Sequence, residues 1–253
     1  DAANDYALEC FAPVRMSGGA FETVADPATP WLCWDNATLD WALRLVLLGA
    51  VPAALGLIVL AEPLLTTIFY GGEFTAFDVN MATASLIAYA LGLVGFILVK
   101  VLAPSYFARQ DTSTPVRIGV YSSVLNIGLN VVLVVSLIRI EFYAPHAGLA
   151  LATTLSAFFN ALLLFRGLRK NNVFRPRPGW GLLTSQVLGA SAIMACGVFW
   201  LAGRMGDWLL LGVLERVGSL TICVFTGVGI YLGACYLFGL RVQSFRKTPL
   251  ANL

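Results

Sequence analysis

A stripe of polar residues inside an apolar stretch is the clearest candidate for chemistry in this sequence. Its members are spaced at offsets of 0, 4, 7 and 11: Gly119, Ser123, Asn126 and Asn130. At about 100° per residue these positions lie within about 60° of one another on a helix, so they share one face. Amide and hydroxyl oxygens suit hard cations such as sodium, by the logic that governs calcium and magnesium. The stripe therefore predicts a cation site or the wall of a hydrated cavity.

A second stripe of small and polar residues follows in the next apolar stretch: Ala150, Thr153, Thr154, Ala157 and Asn160. A short connection joins the two stretches, so we expect two antiparallel helices that lie side by side. The alternative to an ion site is that Asn and Thr side chains hold these helices together through hydrogen bonds, worth about 0.6 kcal/mol each. Neither stripe contains a carboxylate, which argues against strong cation binding.

Three basic side chains are candidates for contacting a substrate or a lipid headgroup. Lys100 directly follows the second apolar stretch, where it could face a cavity and meet an anionic substrate, or extend to the membrane surface. Arg109 and Arg117 flank a polar turn that contains Asp111. They could pair within this turn, contact lipid phosphates, or form a solvated loop that sets the orientation of the chain.

The sequence contains no recognisable catalytic or metal-binding motif. His146 is the only histidine, so neither a histidine metal set nor a catalytic triad can be assembled. The five cysteines form no CxxC pair, and the P-loop, GxSxG and HExxH motifs are missing. We expect a protein that is not an enzyme, has no cofactor apart from a sodium ion, and has no nucleic-acid partner.

Six apolar stretches of helical length must position these side chains. They cover residues of about 41–61, 81–99, 116–138, 148–165, 182–202 and 217–240. Each is close to the roughly 20 residues that an α-helix needs to cross a bilayer, and the lack of alternation excludes a barrel. The chain is 58% hydrophobic and 12% charged, against about 25% charged in soluble domains. We predict an all-α polytopic transmembrane bundle of six spans.

Lysine and arginine gather in every second connection. The N-terminal segment, the connections after the second, fourth and sixth spans and the span ends next to them hold 13 of the 16 basic residues, and the other connections hold only Arg139, Arg204 and Arg216. The positive-inside rule then places both termini in the cytoplasm, and an even number of spans agrees with this orientation.

Residues 1–37 do not follow the pattern of apolar spans. They contain Gly18 and Gly19, three prolines and scattered acids, without a run long enough to cross a membrane. No basic start followed by an apolar segment marks a signal peptide. We therefore divide the chain into residues 1–37, expected to be disordered or foreign to the fold, and a six-span domain at residues 38–253.

Several short motifs resemble the MurJ/MviN family of lipid II flippases. Three lie at residues 39–45 (Leu-Asp-Trp-Ala-Leu-Arg-Leu), 74–78 (Phe-Thr-Ala-Phe-Asp) and 86–93 (Leu-Ile-Ala-Tyr-Ala-Leu-Gly-Leu), and three more at residues 99–116, 146–149 (His-Ala-Gly-Leu) and 178–180 (Pro-Gly-Trp). The run from Lys100 to Val116 is the most specific, because neither hydropathy nor helix capping demands it. The resemblance extends from about Thr38 to the C-terminus.

The resemblance implies the second-lobe portion of a fourteen-helix transporter of the multidrug/oligosaccharidyl-lipid/polysaccharide (MOP) exporter superfamily. Such a protein lies in the bacterial inner membrane, where its two lobes alternate access to move lipid II outward for peptidoglycan biosynthesis and cell shape. This chain would supply the last six helices and would need the missing N-terminal lobe. The alternatives are a non-transporting membrane fragment or assembly partner, or an exporter of another undecaprenyl-linked oligosaccharide.

The resemblance also implies site residues. Some members bind sodium through helices that match the third and fourth spans, and Asn126, Asn130 and Thr154 lie at or near the matching positions. Asn130 stands where an acidic ligand is expected, which argues against ion binding. The last two spans resemble helices that line a groove for the lipid tail.

Overall fold

The computed structural model describes residues 36–240, together with the backbone of four short strands nearer the N-terminus. These strands are β1 (Cys10–Phe11), β2 (Val14–Ser17), β3 (Ala20–Thr23) and β4 (Leu32–Cys33). They form two antiparallel pairs, β1 with β4 and β2 with β3. The expectation that residues 1–37 are disordered or foreign falls largely outside the described residues and stays a prediction.

Seven helices make up the described part of the chain from residue 36 onward. They are α1 (Asn36–Val59), α2 (Ala61–Phe69), α3 (Ala76–Phe107), α4 (Ser113–Arg139), α5 (Ala147–Lys170), α6 (Trp180–Arg204) and α7 (Val213–Leu237). All except α2 are long and apolar enough to cross a membrane, which confirms the six predicted spans. The short helix α2 is an addition, because the sequence indicated only a connection after the first span.

The spanning helices pack side by side in the order α4, α5, α3, α1, α6 and α7. Helix α5 packs against both α3 and α4, which confirms that the two polar stripes lie on neighbouring helices. Helix α2 packs between α3 and α7. Helix α4 is the least buried of the six spans, so most of its surface faces away from the described chain.

Small residues allow α3 and α5 to lie close together. A Cβ atom on Gly92 would meet Thr154 Oγ1 at 2.5 Å, and one on Gly95 would meet the backbone nitrogen of Phe158 at 3.2 Å. A Cβ atom on Gly92 would therefore require a shift of its neighbours, and one on Gly95 would require the backbone of α5 to move by a few tenths of an ångström. The α3–α5 contact therefore depends on two positions that hydropathy does not distinguish from the rest of the span.

The bundle has a basic end and an opposite end. The basic end contains the start of α1 and the connections at residues 108–112 and 171–179, where Asn36 hydrogen-bonds to Arg175 and Tyr106 Oη donates to Leu164 O at 2.7 Å. The opposite end contains the connections at 70–75, 140–146 and 205–212. This placement is what brings distant parts of the sequence into the sites described next.

Candidate functional site

The two predicted asparagines lie together between α4 and α5. Asn126 Nδ2 donates toward Ser156 Oγ at 3.3 Å and Thr153 Oγ1 at 3.4 Å. Asn130 Nδ2 donates to Asn126 Oδ1 at 3.0 Å. The four side chains form one polar cluster inside the apolar bundle, here called the asparagine cluster. Thr153 and Ser156 were not among the predicted ligands.

The asparagine cluster offers neutral oxygen donors. Asn130 Oδ1 is buried and has no hydrogen-bond partner among the described residues. Helices α4 and α5 contain no Asp or Glu, so neither can give a cation here a full counter-charge. The donors suit a hard monovalent cation in kind. The bonds from Asn126 also join α4 to α5, so helix packing accounts for them as well, and ion binding stays a prediction.

Thr154 lies on a different face of α5 from the asparagine cluster. Its Oγ1 donates to Ala88 O on α3 at 2.6 Å, and the residue is buried. Adjacent residues on a helix point about 100° apart, so Thr153 faces α4 while Thr154 faces α3. The structure therefore brings Asn126 and Asn130 together but places Thr154 in the α3–α5 contact.

The three predicted basic residues lie on α3, on α4 and in the connection between them. Lys100 on α3 and Arg117 on α4 are exposed, and Arg109 is half-buried after the end of α3. Asp111 Oδ1 accepts hydrogen bonds from Thr114 N and Ser113 Oγ, each at 3.0 Å. These bonds, above all those from Thr114, hold the pKa of Asp111 below its ordinary value, and the charge of Arg109 lowers it further. Contact with a substrate or a headgroup stays a prediction for the three cations.

An apolar groove lies between α1, α6 and α7. It has a volume of about 450 Å³, and its lining includes Pro52, Gly56, Met194, Val228 and Tyr231. Tyr231 Oη donates to Leu48 O at 2.7 Å and so ties α7 to α1 beside the groove. An apolar ligand could lie here without leaving a polar group unpaired.

A buried carboxylate at the basic end belongs to none of the predicted sites. Asp40 is 3% exposed, and its Oδ2 accepts from Arg44 Nε at 2.7 Å. Its Oδ1 accepts from Trp180 Nε1 at 2.7 Å and from the backbone nitrogen of Arg177 at 3.3 Å. We call these four residues the Asp40 network. The available signal was the spacing of Asp40 and Arg44, an acid followed by a base four residues later on one helix face.

A buried guanidinium at the opposite end is the second such feature. Arg216 donates from Nε to Trp208 O at 2.9 Å and from Nη2 to Leu209 O at 2.9 Å. Its Nη1 lies 3.3 Å from Tyr70 O and 3.5 Å from Thr66 O, at the end of α2. We call this set the Arg216 network. It joins α2, the α6–α7 connection and the start of α7, whereas the sequence pattern indicated only that Arg216 lies in an outer connection.

The described residues give no alternative site based on metal chemistry. Across residues 36–240 no group of three or more His, Cys, Asp or Glu could hold a metal ion. His146 lies at the start of α5, and its Nε2 lies 3.2 Å from Met81 O. His146 is therefore a helix-end residue.

Comparison with known protein families gives one match over most of the chain. The family model described as "Lipid II flippase MurJ" matches residues 34–217. This range includes α1 to α6 and the first turn of α7, and with them the asparagine cluster and both networks.

Individual relatives agree with the family match. The chain is 40% identical over 240 residues to the "Probable lipid II flippase MurJ" of Vibrio cholerae serotype O1, covering 92% of this chain and 44% of that protein. It is 37% identical over 246 residues to the "Lipid II flippase MurJ" of Burkholderia cenocepacia, covering 93% of this chain and 46% of the relative. The chain thus spans less than half the length of these relatives.

A solved structure has the same fold over most of the chain. The structure described as "Lipid II flippase MurJ, inward closed conformation" superimposes with a TM-score of 0.63 at 25% sequence identity. The match covers 80% of this chain and 39% of that structure. The arrangement of the helices therefore agrees with the result from the sequence relatives.

Proposed function

The chain belongs to the lipid II flippase MurJ family, and on this basis we propose that it supplies the second-lobe portion of a lipid II flippase. The family match over residues 34–217 is the observation that carries the proposal. Transport by alternating access needs no catalytic group, because it follows from different binding to the inward- and outward-facing states.

The apolar groove between α1, α6 and α7 supports a substrate with a long lipid tail. A polyprenyl chain gains about 0.8 kcal/mol for each methylene that it buries. The groove volume of about 450 Å³ is in the usual range for ligand pockets and can take part of such a chain. In this proposal the tail lies along α7 while the headgroup is held by the lobe that precedes this chain in its relatives.

The chain is a multi-pass protein of the bacterial inner membrane, as its six apolar helices and its family indicate. We propose that the basic end faces the cytoplasm, with both termini on that side. The imbalance of 13 basic residues against 3 supports this orientation.

Rescue of lipid II transport in cells tests the proposed function. The chain is expected to restore growth of bacteria depleted of their own flippase when it is co-expressed with the first lobe of the Vibrio cholerae relative. Expression of either part alone is expected to fail, since this chain covers only 44% of that relative. If the two parts co-purify from the membrane and still do not restore transport, the chain is a non-transporting fragment or an assembly partner. Rescue of the export of another undecaprenyl-linked oligosaccharide, without lipid II transport, would point to a different substrate.

A sodium ion is the coupling ligand that we propose for the asparagine cluster. Asn126 and Asn130 would hold it, with the hydroxyls of Thr153 and Ser156 close by. The partnerless Oδ1 of Asn130 supports this assignment. Because every donor is neutral, we expect weak binding that requires millimolar sodium or more.

Asn126→Leu is expected to abolish stabilisation of the chain by sodium while leaving membrane insertion intact. A ligand at ten times its dissociation constant stabilises by about 1.4 kcal/mol, which corresponds to a rise of about 3–5 °C in melting temperature. Thermal unfolding in detergent, in sodium against potassium chloride, measures this difference. Ser123→Val is the matched control, because Ser123 donates to Gly119 O on its own helix. An equal loss of stability in both salts would instead assign Asn126 to helix packing.

A further inference from the structure

A second apolar cavity, here called the basic-end slot, lies between α1, α3 and α5. It has a volume of about 340 Å³, and its lining includes Leu47, Leu98, Phe158, Leu162 and Trp180. None of its lining residues belongs to the groove between α1, α6 and α7. The slot runs along the half of the bundle that ends at the basic connections.

Arginines continue one wall of the slot beyond its apolar part. Arg166 follows Leu162 by four residues and Arg169 follows it by seven, and both spacings keep a residue on the same face of a helix. Both arginines are exposed on the last two turns of α5. One face of α5 therefore changes from apolar to cationic toward the basic end.

The connection after α5 adds more positive charge without any acid. Lys170, Arg175 and Arg177 are exposed, and residues 142–206 contain no Asp or Glu. Asn36 holds the backbone of Arg175 through two hydrogen bonds of 2.9 and 3.1 Å, and Asp40 accepts from the backbone of Arg177. The cations therefore project from a fixed backbone and not from a free loop.

We propose that the basic-end slot binds one anionic glycerophospholipid from the leaflet at the basic end. An acyl chain lies in the slot between α1, α3 and α5, and the phosphate lies at Arg166 and Arg169. The stretch of α5 from Phe158 to Phe165 is about 10 Å long, which suits the upper part of an acyl chain. The joint presence of an apolar slot and a cationic rim distinguishes this ligand from a helix of another protein, which would need no phosphate site. The bound lipid is separate from the proposed transport substrate.

Lipid retention by the intact chain tests the charged part of the site. The chain is purified in detergent and mixed with phosphatidylglycerol or phosphatidylcholine, and native mass spectrometry counts the lipids that remain bound. Phosphatidylglycerol is expected to bind at one site more tightly than phosphatidylcholine. The double variant Arg166→Gln with Arg169→Gln is expected to weaken the binding of phosphatidylglycerol on the order of tenfold or more. Arg139→Gln with Arg204→Gln removes the same charge at the opposite end and is expected to leave retention unchanged.

A substitution that fills the slot tests its apolar part. Leu162→Trp changes a side chain that lines the slot and is 46% exposed, so the larger residue can occupy the slot without displacing the core. It is expected to remove the retained phosphatidylglycerol and keep the melting temperature. Leu188→Trp on α6, at 50% exposure and outside the slot, is the control. If retention falls when the two arginines are replaced but not in Leu162→Trp, the lipid does not occupy the slot and binds only at a charged surface. Equal retention of the two lipids, or no effect of the arginine pair, would overturn the proposal whether or not the tryptophan variant folds.

Discussion

Replacement of Asp40 by alanine is expected to lower the melting temperature of the chain by on the order of 10 °C. The carboxylate is 3% exposed and accepts from Arg44, Trp180 and the backbone of Arg177. Without it, the Arg44 side chain, which is 22% exposed, loses its counter-ion. Breaking a buried ion pair in this way costs about 3–5 kcal/mol, and each kcal/mol shifts melting by about 2–4 °C in a chain of this size.

Two variants separate charge from hydrogen bonding in the Asp40 network. Asp40→Asn keeps an oxygen for Trp180 Nε1 but removes the charge, so we expect a loss between wild type and Asp40→Ala. Asp111→Ala is the control outside the network, since Asp111 accepts from Ser113 and Thr114 at the start of α4, and loss of such a cap costs about 1 kcal/mol. Tryptophan fluorescence during heating in detergent follows both unfolding and the surroundings of Trp180. Unfolding of Asp40→Ala at the wild-type temperature would show that the network does not stabilise the bundle.

The six spans could be predicted because a bilayer leaves a chain few choices. Backbone groups in lipid must form their hydrogen bonds within a helix, so about 20 apolar residues in a row are sufficient to predict a spanning helix. The pairing of α4 with α5 followed in the same way from the short connection between them. The helix α2 could not be found by this argument, because its nine residues are too few to cross a membrane.

Most of the side-chain contacts could not be predicted from the sequence. Asp40 and Trp180 are 140 residues apart, and local spacing carries no information about such a contact. The stripe on α5 contained Thr153 and Thr154 equally, but only packing decides which of them faces α4 and which faces α3. The asparagines were easier to assign, because their spacing on a single helix placed them on one face.

Arg216→Met is expected to destabilise the chain by about 3 kcal/mol and to free α2 from α7. The guanidinium is 6% exposed and lies within hydrogen-bond distance of four carbonyl oxygens. Hydrogen bonds to a charged group contribute about 1.5–3 kcal/mol each. Removing the charge also relieves a burial penalty of several kcal/mol, which offsets much of this loss. The lost hydrogen bonds outweigh the relieved burial penalty because the carbonyls of Thr66 and Tyr70 lie at the end of a helix, where the helix dipole favours a cation.

Hydrogen–deuterium exchange can locate the effect of Arg216→Met. Faster exchange is expected at residues 61–72 and 205–216, which the guanidinium joins, while the asparagine cluster should be unaffected. Arg216→Lys is expected to give a smaller change, because a single ammonium keeps the charge but cannot reproduce the planar fork that reaches acceptors on both sides. Arg204→Met is the exposed control, with its guanidinium stacked on Trp200 at 4.1 Å. Equal exchange rates at residues 61–72 and 205–216 in all three variants would mean that apolar packing alone holds α2 against α7. A local increase in Arg216→Met would instead show that a buried cation joins these two helices at the end of the bundle opposite the Asp40 network.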